Sequence, residues 1–330
     1  MFTNKTILVT GGTGSWGNEL VSQLLEKNPK EIRIYSRNET SQVLMKQKFE
    51  SDPRLSFVIG DIRDKEAVKE ACENVEYIFH LAALKHVPVC EFQPLEALKT
   101  NVIGTQNVIE AAIENKVEKV INISTDKAAN PSNFYGFTKA MGEKLIINAN
   151  VLTDKTKFVC VRGGNVLGTN GSVIHVFKHG IKNKQRIGIT DKKMTRFFLT
   201  IKDAIKLLFK ATYESHGGEI FVMKMPTCKI LDLAQVLIDV YSPDKEVIVE
   251  EAGIRPGEKL HELLLTEFES HNTIVYDNEY FVILPTIPIK GLTEYYKDHP
   301  KVDLDTYSSS DNIIEYNEIK TMLKEGGFLD

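Results

Sequence analysis

A chain of 330 residues, 42% hydrophobic and 26% charged, is long enough for one large α/β unit with an appended region, or for two ordinary domains. Its 41 basic and 45 acidic residues leave a net charge of −4, so no whole-protein field favours nucleic acid or an anionic membrane surface, and an anionic ligand must be held by local groups. Cys72, Cys90, Cys160 and Cys228 are too scattered for a metal site and predict buried thiols in a reducing cytoplasm, while Met1–Thr10 running straight into a strand predicts no signal peptide and the lack of any apolar run near roughly 18 residues predicts no membrane insertion.

In chain order, strand-length apolar runs at Thr6–Thr10, Ile32–Tyr35, Leu55–Ile59, Tyr77–His80, Val120–Ser124 and Phe158–Arg162 alternate with amphipathic stretches. The helix candidates between them are Asn18–Lys27, Lys65–Ala71, Pro94–Asn115 and Tyr135–Asn150. This alternation predicts βαβ units, hence an α/β doubly wound parallel sheet covered on both faces, over residues 1–165 and joined by later segments. Residues 166–330 predict a smaller C-terminal α/β substrate region. It has helices at Ser172–Lys184, Ile201–Tyr213 and Leu231–Tyr241, strands at Glu219–Val222 and Val247–Glu250, and a Gly/Pro-rich loop at Gly253–Glu258. The tail from Lys290 either wraps the surface or mediates association.

The first strand runs into Thr10-Gly11-Gly12-Thr13-Gly14-Ser15-Trp16-Gly17. Gly11, Gly14 and Gly17 give the spacing that permits a tight turn, backbone approach to a pyrophosphate and close helix packing, with the following helix N-terminus facing the phosphates. The second strand ends in Tyr35-Ser36-Arg37-Asn38 where an NAD site usually carries an acid for the ribose 2′-hydroxyl. Arg37 can instead fork onto a 2′-phosphate and Ser36 can donate to it, which favours NADP. Asp61, in Gly60-Asp61-Ile62 after the third strand, can accept from the adenine amino group.

Ser124-Thr125-Asp126-Lys127 ends a strand, and Tyr135-Gly136-Phe137-Thr138-Lys139 opens the next helix. Tyr135 and Lys139 share a helical face, so the ammonium can lower the phenol's pKa and bind the cofactor ribose, and the tyrosinate can take a hydroxyl proton as hydride leaves the adjacent carbon. Taken singly, Asp126 reads equally well as a cap and Lys127 as a solvated surface charge; their combination with Tyr135 and Lys139 marks a site.

With these segments the chain resembles the extended short-chain dehydrogenases/reductases, and more narrowly the configuration-inverting UDP-N-acetylglucosamine 4,6-dehydratases of pseudaminic acid and related polysaccharide biosynthesis. Further matching segments are Ala82 to Pro88, Ser124 to Pro131, Met194 to Phe197, Gly217 to Val222 and Gly253 to Glu262. The resemblance implies a Rossmann-like domain and completes the cofactor set with Thr13, Ser15, Trp16, Asn38, Ile62, Leu81 and Ala82. It also implies a reaction: oxidation at C4 acidifies the C5 proton, water leaves from C6, and hydride returns to C6 as a proton returns to C5. Asp126 then assists departure of the C6 hydroxyl, Lys127 removes the C5 proton with a pKa depressed by burial or a neighbouring cation, and Thr125 sits near the C4 oxygen. Retaining relatives usually have Asp-Glu at these positions, so Lys127 is the ground for inversion at C5.

The same motif match assigns Lys85, Asn165, Thr190, Arg255 and Glu258 to the UDP-linked N-acetylhexosamine, with Arg255 suited to the diphosphate and Glu258 to a ribose hydroxyl. Arg196 and His86 are weaker candidates, and Trp16 and Phe134 read equally as core. A homo-oligomer joined through the helices flanking Tyr135 is implied as well. One departure stands out: the group commonly reads Arg-Tyr-Gly-Asn-Val where this chain has Arg162-Gly163-Gly164-Asn165-Val166. The competing functions are a retaining dehydratase, an NADP-dependent nucleotide-sugar epimerase or reductase, and a non-catalytic NADP-sensing regulator, the last of which generally lacks the Tyr/Lys pair kept here.

Overall fold

The computed structural model describes residues 1–169, 171–244 and 246–329. Six parallel strands appear where the apolar runs predict them: β1 (Thr6–Thr10), β2 (Glu31–Ser36), β3 (Leu55–Ile59), β4 (Tyr77–His80), β5 (Lys119–Thr125) and β6 (Lys157–Gly163). β1 and β4 are buried at every residue, as strands covered on both faces must be. The spatial order is β3-β2-β1-β4-β5-β6. Ile220–Met223 continues it in parallel beside β6, and Tyr280–Ile283 and Thr273–Val275 close the nine-stranded sheet antiparallel. The order reverses between β1 and β4, which opens a crevice at their carboxyl ends, the place where ligands bind in sheets of this kind.

A second apolar core, including Leu167, Ile174, Phe177, Ile187, Phe198 and Leu237, lies under the small sheets of the later residues. Asn165–Val166, Thr195–Leu199 and Thr227–Lys229 form one of these sheets, and Arg186–Ile189 pairs with Ile248–Glu251 in another. The tail belongs to the body. Leu292, Tyr296 and Tyr307 join the main core, and Ile319 and Leu323 of the helix Tyr316–Glu325 are fully buried in the second.

Two differences from the sequence reading are instructive. The segment predicted as one helix from Pro94 to Asn115 is helical, but it widens into a π-turn at Lys99–Ile103 between Pro94–Leu98 and Gly104–Glu114. Such bulges cluster at functional sites. Here it carries Asn101, whose side chain accepts from Leu84 N at 2.8 Å and donates to Leu84 O at 2.9 Å and Thr138 Oγ1 at 3.0 Å, tying the loop after β4 to the helix Phe134–Leu152. The helix Glu39–Lys48 was not anticipated, because only Gln42 and Met45 on it are buried and it carries no apolar period.

Candidate active site

The crevice starts at the glycine loop. Gly11 has φ +68°, and a Cβ there would lie 2.8 Å from the Ala82 backbone; one on Gly17 would lie 2.0 Å from Gly12 O. Both glycines are therefore demanded by the fold itself. A Cβ on Gly14 would approach nothing closer than Gly11 O at 3.4 Å, so this position is left open toward the crevice rather than packed by protein. Gly14 also begins the helix Ser15–Leu25 without any side-chain cap, and its N–H groups can serve an anion. The residues present thus fit a dinucleotide pyrophosphate.

At the floor, His80 Nδ1 lies 2.8 Å from Thr10 Oγ1 and Nε2 lies 3.1 Å from Thr105 Oγ1. Thr105 spends its own proton on Asn101 O at 2.7 Å, so Nε2 donates and Nδ1 accepts from Thr10. Burial, helped by the charge of Lys139, pushes this histidine down to about 3. A neutral imidazole therefore pins the ends of β1 and β4 together.

At the end of β2, Arg37 is exposed and makes a loose 3.8 Å ion pair with Asp61. Ser36 Oγ accepts from Gln42 Nε2 at 3.0 Å, which leaves its hydroxyl proton to donate. Asn38 caps the helix Glu39–Lys48 by accepting from Ser41 N at 2.8 Å, a structural use of that side chain. Asp61 is bound up more than the sequence suggested, since Arg63 donates to Oδ2 from two nitrogens at 2.6 and 2.9 Å and its backbone N–H donates to Oδ1 at 3.0 Å. Ile62 is buried beneath Gly104, Leu81 and Ala82 are half-buried on the far lip, and Thr13 lends its carbonyl to Asn18 Nδ2 at 3.1 Å.

Thr125, Asp126, Lys127, Tyr135 and Lys139 come together beyond β5. Thr125 Oγ1 and Lys127 Nζ both donate to Asp126 Oδ1 at 2.9 Å, while Asp126 Oδ2 is buried without a partner among the described residues. Asp126 has no exposed surface, and Lys127 also faces Glu262 Oε1 at 3.5 Å. Two expectations are corrected here. Burial lowers the proton affinity of Lys127, but Asp126 and Glu262 together more than reverse that, so the ammonium is favoured rather than depressed. Burial likewise pushes the Tyr135 phenol up to about 12, and the cation that draws it down is Lys127, aided by the Thr125 hydroxyl, rather than Lys139. Lys139 is itself buried and its charged form is disfavoured.

The later residues reach this cluster through the loop before Glu262. Gly257 has φ +75°, and a Cβ there would lie 2.8 Å from Asn133 Cβ; its carbonyl accepts from Ser132 Oγ and Asn133 Nδ2, each at 2.9 Å. Asn133 is the cap of the tyrosine helix, accepting from Gly136 N at 2.8 Å, so the loop docks directly on the element that aims Tyr135. Glu258 meets Arg196 at 3.5 Å and Thr190 Oγ1 at 3.4 Å, and Lys259 Nζ donates to Ala129 O at 2.8 Å. Thr190 and Glu258 are thereby joined, through Arg196 and Glu262, to Lys127. Lys85 and Arg255 are exposed on two loops, and Asn165 is half-buried in its short strand.

Sequence reasoning missed Glu262 and Lys259 and undervalued Arg196. Glu262 is 2% exposed and lies within 3.5 to 3.9 Å of Lys127, Arg196 and Lys259. Arg196 donates to Thr195 O at 2.7 Å, Lys259 O at 2.9 Å and Leu260 O at 3.1 Å, which fixes the loop's path. Only the density of charge in Gly253–Glu262 hinted at such a cluster.

Among known proteins, the family described as "Polysaccharide biosynthesis protein" matches residues 7–284. A Campylobacter jejuni protein (serotype O:2) named UDP-N-acetylglucosamine 4,6-dehydratase (inverting) is 45% identical over 291 residues, covering 87% of this chain and 85% of its own. A Rickettsia massiliae protein named UDP-glucose 4-epimerase is 44% identical over 275 residues, covering 82% and 80%. The crystal structure of Pen from Bacillus thuringiensis superposes with a TM-score of 0.91 at 38% identity, over 98% of this chain and 99% of that one. No helix among the described residues is long and apolar enough to cross a membrane.

Proposed function

We propose, from the premise that the chain belongs to the polysaccharide biosynthesis protein family, that it is an NADP-dependent UDP-N-acetylglucosamine 4,6-dehydratase that inverts C5. The observation that carries this reading is the buried Asp126–Lys127 contact of 2.9 Å beside Tyr135, at the carboxyl edge of the sheet. An epimerase only moves a hydride off one carbon and back and has no use for an acid and a base poised together. The Campylobacter relative's name agrees with the dehydratase reading. The Rickettsia relative's name makes the epimerase the second reading.

The chemistry follows from proton positions. Tyr135 as tyrosinate takes the C4 hydroxyl proton, with the Thr125 hydroxyl steadying the oxygen and Lys139 holding the cofactor ribose. NADP, when bound, supplies storage for the hydride and a positive ring charge that favours the tyrosinate. With a carbonyl at C4, the C5 proton passes to the amine of Lys127 as Asp126 gives its proton to the departing C6 hydroxyl, which leaves as water. This step needs a neutral amine and a protonated carboxyl, whereas the resting pair is an ammonium and a carboxylate. Both forms hold the same number of protons, so one transfer along the 2.9 Å contact interconverts them. A raised lysine is thus compatible with a lysine base.

Gly11, Thr13, Gly14, Ser15 and the backbone of Trp16 and Gly17 would cradle the dinucleotide, with Ser36, Arg37 and Asn38 at the 2′-phosphate, Asp61 and Ile62 at the adenine, and Leu81 and Ala82 on the opposite lip. Lys85 and Arg255 would meet the diphosphate, and Asn165, Thr190 and Glu258 the rest of the UDP-sugar. In domain terms, residues 1–165 with the later sheet strands serve the cofactor, and 166–330 serve the sugar. Phe92, Leu95, Phe137 and Met141 are 88%, 59%, 51% and 48% exposed on the helices flanking Tyr135, which supports a homo-oligomer joined there. The buried free thiols and a nucleotide-sugar substrate suit a cytoplasmic enzyme.

The test is proton NMR of UDP-N-acetylglucosamine incubated with the purified protein and no added cofactor. A C6 methyl doublet supports the dehydratase; a product that keeps its C6 hydroxymethyl signals refutes it. Swapping Arg37 to Glu should shift cofactor preference from NADP toward NAD by about tenfold or more if the guanidinium holds a 2′-phosphate.

A further inference from the structure

Gly163 is the last residue of β6 and pairs in register with Thr125. It is buried, yet neither its backbone nor its surroundings require glycine. Its φ lies outside the left-handed region, and an added Cβ would meet only the Trp16 indole, Cη2, at 3.9 Å, an ordinary contact. Gly17 and Gly257, by contrast, are fixed by backbone or Cβ atoms at 2.0 and 2.8 Å. Gly163 therefore leaves open a small space bounded on one side by the strand end that carries Thr125 and on the other by Trp16.

Trp16 is the chain's single tryptophan and packs against the main core from the start of the glycine-loop helix. Strand alternation explains the meeting. Arg162 projects toward Glu143 on the tyrosine helix, so its neighbour Gly163 faces the opposite side of the sheet, where Trp16 sits. The indole thus does at this edge what a side chain of β6 would otherwise do.

We infer that Trp16 and Gly163 are the specificity-determining pair on the Thr125 side of the sugar pocket: the glycine leaves the space open and the indole edge sets its width for the uncharged hexose ring of a UDP-sugar. The inference rests on the reading of this cleft as a UDP-hexosamine site and names the residues that gauge the ring there. A side chain at 163 narrows the pocket in proportion to its length, and shortening Trp16 widens it again.

Two measurements on the cofactor-loaded protein test this. In the first, kcat/KM for UDP-N-acetylglucosamine falls about threefold in Gly163→Ala and about tenfold or more in Gly163→Leu, and Trp16→Ala combined with Gly163→Leu recovers at least about half of the logarithmic loss. Equal activity in Gly163→Leu and the parent, or a double variant no better than Gly163→Leu alone, overturns the pairing. In the second, which needs no variant, the emission of Trp16 shifts when UDP-N-acetylglucosamine is added and shifts less with UDP alone. Identical responses to the two overturn the role of the indole. Failure of the underlying reading looks different: the parent protein itself then yields no dehydrated product.

Discussion

Two buried charge clusters flank the tyrosine helix, and they are built to opposite standards. Around Arg162, which is 1% exposed, every guanidinium nitrogen is used: Nε and Nη2 meet Glu143 at 3.0 and 2.7 Å, Nη1 and Nη2 meet Glu269 at 3.0 and 2.9 Å, and Nη1 also meets Leu264 O at 2.9 Å. Around Lys127, Asp126 and Glu262 each keep a buried oxygen without a hydrogen bond among the described residues, where the three ion pairs of Glu262 span 3.5 to 3.9 Å. A buried polar group is ordinarily satisfied, and the first cluster obeys that rule while the second does not. The saturated cluster locks the tyrosine helix to the segment Leu264–Glu269. The unsaturated one keeps proton and lone-pair capacity in reserve for a ligand, which is what a site that moves protons needs.

The sharpest way to break the comparison is to cut each cluster at its cation. Lys127→Ala should slow exchange of the C5 hydrogen with solvent deuterium by about 10³- to 10⁴-fold, since among the described residues no other amine is ion-paired with Asp126 to replace the base. Asp126 keeps its Thr125 donor at 2.9 Å, so the fold survives. Exchange at the parent rate would remove Lys127 from its assigned role. Arg162→Met should instead strand the Glu143 and Glu269 carboxyls in the interior and cost about 3–5 kcal/mol of stability, read from denaturant midpoints. A cost below about 1 kcal/mol would show that the network is not the lock described here.

A third buried group sharpens the contrast because it is kept uncharged. His80 titrates near 6.5 when unfolded and is pushed down to about 3 by burial and Lys139. The unfolded chain then binds the extra proton first, so stability is present above about pH 6.5 and is lost as the pH falls toward the folded value, at roughly 1.4 kcal/mol per pH unit. By about pH 4 this amounts to roughly 3 kcal/mol. His80→Gln should flatten that part of the acid limb relative to the parent, and parallel limbs would show that the imidazole titrates elsewhere.

Sequence reading found what is local. The glycine loop, the strand ends and the pair Tyr135 and Lys139 declare themselves within a few residues of one another, and the structure brings them to the switch point between β1 and β4. It missed what is assembled across the chain. Glu262 faces Lys127 from far along the sequence and joins Asp126 in outweighing burial, whereas burial alone predicts a depressed lysine, the wrong sign. The π-turn at Lys99–Ile103 escaped because its apolar spacing is nearly that of an ordinary helix, and its cause, the bonds of Asn101 to Leu84 and Thr138, is tertiary. The tail was undecidable because Leu292, Tyr296, Ile319 and Leu323 are spread through polar sequence, and only the core they enter gives them a pattern.

The smallest expected effect probes the loose cluster where it is loosest. Glu262→Gln keeps the shape and removes one of the two carboxylates that favour the Lys127 ammonium, so the lysine should titrate at lower pH than in the parent, followed by nitrogen-15 NMR of the side-chain amine. Stability should move by only about 1 kcal/mol, because no hydrogen bond is lost. Arg196 retains its three carbonyl acceptors and Glu258, and Lys259 retains Ala129 O. A loss comparable to that of Arg162→Met would mean that Glu262 is a structural counter-ion and that the two clusters differ only in appearance. An unchanged lysine titration would uncouple Glu262 from Lys127 and leave Asp126 as the sole group holding the proton in place.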